Sequence, residues 1–105
     1  MIMSRRVNYE KELRGVSDKL VYMCRHVESA IEKCVKALVE RDSDLAHEIY
    51  DEDKIIDELE REIEGSCLRI LMMEQPVASD FREVTAALKM ITDLERIGEI
   101  GRAHV

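Results

Sequence analysis

Leu13, Val16, Leu20, Met23, Val27, Ala30, Cys34 and Ala37 step along the chain by three and four residues without a break. That spacing draws one seam down a helix and sustains it for more than three heptads. A seam this long must be covered over its whole length, so the chain needs other long helices beside it. Cys24, Ile31 and Leu38 widen the stripe on one flank. A broad stripe suits contact with two neighbours, as in a bundle, better than the narrow seam of a coiled coil. The first helix is expected from about residue 6 to about residue 40.

Arg41-Asp42-Ser43-Asp44 breaks the rhythm. Asp42 or Ser43 is placed to cap a second helix by accepting a bond from a backbone N–H that has no partner in its own helix. That helix is expected over about 44–74, because Ile49, Ile56, Ile63 and Ile70 recur every seven residues, accompanied by Leu45, Leu59 and Met73. Gln75-Pro76 should stop it, since the residue before proline is driven out of the helical region. Asp80 with Glu83 then resembles a capping box, with Ser79 as the alternative cap. A third helix is expected over about 80–103, with Phe81, Val84, Leu88 and Ile91 as its seam. Short connections fold long helices back on one another. The expected fold is all-α: one antiparallel up-down-up three-helix bundle over residues 1–105.

Charge and motif content narrow the functions. A formal charge of −7 argues against nucleic acid, whose phosphates need clustered Lys and Arg. No apolar run approaches a membrane span, and Met1 to Arg6 lacks the apolar core of a signal peptide. A cytoplasmic protein without membrane insertion is expected. Cys24, Cys34 and Cys67 are widely spaced and odd in number, with no Cys-x-x-Cys pair; they read as reduced, mostly buried small residues. His26, His47 and His104 are scattered and read as surface residues. There is no P-loop, no Ser-His-Asp spacing and no Glu-x-x-His of a carboxylate-bridged di-metal centre. No catalytic residue is expected, and the chain is not expected to be an enzyme.

The acids carry the remaining signal. Beyond Ile91 the third seam reaches Glu95 and Gly98, where a packed helix would place Leu or Ile, and Glu99 follows one turn later. On the second helix Glu52 or Asp53 interrupts the seam between Ile49 and Ile56, Asp57 lies one turn past Asp53, and Glu60 sits beside Leu59. In an antiparallel pair, residues equally far from the turn share a height. Facing positions on the second and third helices should sum to roughly 155, given equal rise per residue. This sets Asp57 level with Glu99 and Glu60 level with Glu95, with Asp53 about a turn away and Glu28 and Glu32 of the first helix at a similar height. Asp53, Asp57, Glu60, Glu95 and Glu99 are therefore the candidate metal ligands, an oxygen-rich set suited to a hard cation or to iron or manganese, with zinc a further candidate. The plainer reading is a solvated acidic face.

Asp42-Ser43-Asp44-Leu45-Ala46, Asp53-x-x-x-Asp57, Gln75-Pro76-x-Ala78-Ser79-Asp80-x-Arg82 and Leu88-Lys89-x-Ile91-x-Asp93-Leu94-Glu95-Arg96-Ile97-Gly98 together resemble the PhoU family of phosphate-uptake regulators. The resemblance runs collinearly from about residue 8 to about residue 100. It implies one repeat of a fold the family carries in tandem, and acidic motifs able to hold metal clusters. It also implies a regulatory role in phosphate uptake, exercised through contacts with the phosphate-transporter ATPase and a sensor histidine kinase. A homodimer is expected, with two chains related as the two halves of the family's proteins are. The alternative is a metal-binding helical assembly module with no phosphate role.

Overall fold

A computed structural model of the chain describes residues 2–41 and 44–103. It contains three helices, α1 (Ile2–Glu40), α2 (Leu45–Met73) and α3 (Ala78–Ala103). No strand occurs among the described residues. All three helices touch one another, with the α1–α2 contact the most extensive. The result is the all-α three-helix bundle read from the sequence. It is a rod of 57 × 20 × 15 Å, about as long as a straight helix of α1's size at about 1.5 Å per residue.

The seams fill the interior. Val16, Leu20, Met23 and Val27 of α1 meet Ile56, Leu59, Ile63, Cys67 and Ile70 of α2, and Val84, Ala87 and Ile91 of α3. A smaller cluster of Cys34, Leu45 and Ile49, with Ala37 packed against it, closes the end near the first turn. The three cysteines are not joined in disulfides; Cys34 and Cys67 are buried and Cys24 is half-buried. Burial pushes the Cys67 thiol up from its usual pKa, so it packs as a neutral side chain.

Four seam assignments need correction. Phe81 is 50% exposed and Met73 is 68% exposed, because both flank the α2–α3 turn, beyond the last layer in which all three helices face one another. Leu38 is exposed near the other end of the bundle for the same reason. On α3 it is Ala87 that is fully buried, while Leu88 is only partly so. A helical seam leaving Val84 satisfies its spacing at either residue, and the smaller side chain takes the closer approach.

The turns also differ in detail. Gln75 adopts φ 46°, the left-handed region, so helix α2 ends by a left-handed residue after Glu74 rather than by an extended one. Helix α3 begins two residues before the expected start, and Phe81 N–H already donates to Val77 O at 2.8 Å. Asp80 therefore lies inside the first turn and caps nothing; its carboxylate accepts a 2.8 Å bond from the Tyr9 hydroxyl of α1. The expected caps Asp42 and Ser43, together with His104, lie outside the described residues.

Candidate acidic site between α2 and α3

Glu60 and Glu95, set at one height by the spacing, come into contact across the α2–α3 interface. Glu60 is partly buried and hydrogen-bonded to Glu95. Burial, that bond, and the nearby charges of Glu95, Asp57 and Glu64 lift the Glu60 carboxyl to about 7. Two carboxylates side by side resist double ionisation, which together with burial favours the protonated form of Glu60. Of the five candidate ligands, these two form the contact. Asp57 is half-buried and reaches Glu60 through its charge. Asp53 lines a small apolar gap beside Gly98, Ile49 and Ile56. Glu99 is exposed, as are Glu28 and Glu32 of α1. Among the described residues no three His, Cys, Asp or Glu side chains are grouped closely enough to hold a metal ion. The arrangement supplies a hydrogen-bonded carboxyl pair with one further acid near it.

A second acid is more deeply placed. Glu52, not Asp53, takes the seam position between Ile49 and Ile56 and is only 9% exposed. Its Oε1 accepts from Ser29 Oγ at 2.7 Å and from Lys33 Nζ at 2.8 Å. Its Oε2 lies 2.7 Å from His26 Nδ1. Burial works against the charge, but the bonds from Lys33, His26 and Ser29 outweigh it and hold the carboxyl down to about 2. An ionised carboxylate only accepts, so Nδ1 of His26 carries the proton in that bond. Lys33 in turn has its pKa raised by the bond to Glu52. His26, half-buried and edge-on to Tyr22 with ring centroids 4.7 Å apart, is thus not the surface residue its isolation in the sequence suggested. This cluster fixes α1 against α2. Both oxygens of Glu52 are engaged by protein donors, as suits a structural role.

Comparison with known proteins completes the description. The PhoU domain family model matches residues 20–102. The phosphate-specific transport system accessory protein PhoU homolog of Clostridium acetobutylicum is 37% identical over 98 residues, covering 92% of this chain and 44% of that protein. The homolog of Pseudomonas putida is 41% identical over 91 residues, covering 87% of this chain and 36% of that protein. The phosphate-specific transport system accessory protein PhoU of Escherichia coli K12 is 35% identical over 92 residues, covering 88% and 38%. The chain spans less than half the length of these relatives. No solved structure was found to match it.

Proposed function

We propose that this chain, which belongs to the PhoU family, is a regulatory accessory module of phosphate-specific transport that works through protein–protein contacts and not by catalysis. The observation that carries this reading is the family match over residues 20–102, joined to relatives that are named as accessory proteins of that transport system. The chain itself has no helix, among the described residues, that is long and apolar enough to cross a membrane. A bundle with net charge −7 is a poor receptor for free phosphate. Phosphate status would therefore reach it through a partner, the transporter ATPase or a sensor histidine kinase, in the cytoplasm. The affinity-tagged chain, expressed in phosphate-replete bacteria, should co-purify the transporter ATPase or the kinase, identified by mass spectrometry. Recovery of neither, from cells shown to contain both, would sink the reading.

The finer reading adds a homodimer and a divalent cation, iron, manganese or zinc, at the Glu60–Glu95 pair. Support for the cation comes from the contact of Glu60 with Glu95, because a positive ion between them would relieve the repulsion that helps raise Glu60. The pair supplies two carboxylates, so further oxygens would come from Asp57, from Asp53 or Glu99, or from water. Glu60 is raised above its unfolded value, so its contribution to stability is present below about pH 4.5 and lost as pH rises through about 7. Glu95→Gln should thus leave the metal-free protein neutral or slightly more stable at pH 8, and should flatten its loss of stability between about pH 5 and 8. In millimolar manganese or zinc the wild type should gain melting temperature and Glu95→Gln should not, while Asp18→Asn, at an exposed acid of α1, should follow the wild type. A wild type indifferent to both metals, or an equal response in all three proteins, means the acids form a solvated face.

A further inference from the structure

At the α2–α3 turn the rod carries an open groove of about 710 Å³, at the end far from the first turn. Part of its lining is apolar: Leu13 of α1, Met73 at the end of α2, and Pro76 and Val77 of the turn, beside Tyr9 and Gln75. Met73 and Val77 remain two-thirds exposed, and Met72 and Phe81 extend the apolar surface beyond the groove. Methionine suits such a surface because its unbranched, polarisable side chain re-packs around varied partners. The seam corrections on this end of the bundle, at Met73 and Phe81, thus come to one place. Side chains with core-like spacing are left without a helix to cover them.

The rest of the lining is mostly acidic. Glu10, Glu74 and Asp80 stand around the groove against a single cation among the described lining residues, Arg6, which is itself 3.5 Å from Glu10. Tyr9 is tied into the same lining. Its hydroxyl is engaged by Asp80, and burial, that bond and the charges of Asp80, Glu74 and Glu83 push it up to about 12. A groove lined by acidic and apolar side chains together repels anionic surfaces and attracts cations that carry apolar area with them.

We propose that this groove is a docking site for a basic amphipathic segment of another protein, apolar side chains seated on Leu13, Met73 and Val77 and lysines or arginines facing Glu74 and Glu10. The mode is that of a helix or strand laid in a groove, where apolar anchors give affinity and rim charges give orientation and on-rate. The proposal does not depend on the phosphate reading, since the groove's chemistry names the partner's charge and not its pathway.

The test uses the full chain and two fluorescein-labelled synthetic peptides with Leu at helical spacing, one filled with Lys and the other with Glu. Fluorescence anisotropy should show saturable binding of the Leu–Lys peptide and none of the Leu–Glu peptide. Glu74→Lys should weaken binding by about tenfold, and the charge-neutral Val77→Ser by several-fold. Glu32→Lys, the same charge change on an exposed acid toward the other end of α1, should bind as wild type. Circular dichroism checks that each variant keeps its helix. Methyl chemical-shift changes on peptide addition should centre on Met73 and Val77. Equal weakening by Glu32→Lys means diffuse attraction to an acidic rod and overturns the proposal. So does unchanged binding by Glu74→Lys and Val77→Ser, binding of both peptides alike, or shifts that map elsewhere.

Discussion

Glu52→Ala should destabilise the bundle by about 2–3 kcal/mol and remove most of its loss of stability in acid. The carboxylate satisfies three donors on successive turns of α1: His26, Ser29 and Lys33. Removing one partner of a fully buried charge pair costs about 3–5 kcal/mol. Here Lys33 and His26 side chains keep 29% and 20% of their exposure, so part of their lost solvation is recovered from water and the figure falls. The pH dependence has a definite sign. Glu52 is held at about 2 in the folded chain against an ordinary value near 4.5. Its contribution is therefore complete above about pH 4.5 and is lost as pH falls toward about 2, a span equivalent to about 3 kcal/mol. Urea unfolding at about pH 6 and about pH 3 should show a large difference in the wild type and a smaller one in the variant. Glu52→Gln, which keeps the shape but not the charge, should fall between them at the higher pH. Identical acid sensitivity in wild type and both variants would show that the charge on Glu52 does not stabilise the fold.

Glu52 also marks where sequence reasoning stopped short. Its seam position is visible in the heptads of α2, but Glu52 and Asp53 satisfy the spacing equally well. The deciding signal lay on the other helix. Height about the first turn pairs Glu52 with a residue whose number makes the sum roughly 85, and that residue is Lys33. His26 and Ser29 then follow on the same side of α1. No periodic pattern singles out His26, because a lone polar residue beside a seam reads alike whether or not an acid faces it. The shared height of Glu60 and Glu95 was legible because heights survive errors of a residue or two in the turn; that the two side chains also face each other was not. Which way Asp53, Asp57 and Glu99 face depends on helix rotation, and rotation is set by packing that the spacing does not encode. At the bundle's ends the spacing continues past the last layer in which the helices face one another. Phe81, Met73 and Leu38 therefore keep the rhythm without the burial.

Ile63→Ala should cost about 3–5 kcal/mol, at the upper part of the range for deleting a buried isoleucine's methyls and leaving the space empty. Ile63 is fully buried, within the cluster to which all three helices contribute. Side chains of all three helices surround that cluster, so closing the gap would require helices to shift together. Ile91, nearly as buried on α3, should cost about 2–4 kcal/mol. Leu88, only partly buried beside Ala87, should cost about 1–2 kcal/mol, since its surroundings are partly water already. Phe81→Ala should cost less than about 1 kcal/mol, because its ring packs outside that cluster. A domain of this size has about 5–15 kcal/mol in total, so Ile63→Ala should lower the melting temperature by tens of degrees while Phe81→Ala barely moves it. Urea midpoints for the four variants, with slopes unchanged from wild type, give the order Ile63, Ile91, Leu88, Phe81. An Ile63→Ala loss below about 1 kcal/mol, or a Leu88→Ala loss exceeding that of Ile91→Ala, would mean that α3 is rotated against α2 by about one residue's turn. The Glu60–Glu95 contact could not survive such a rotation.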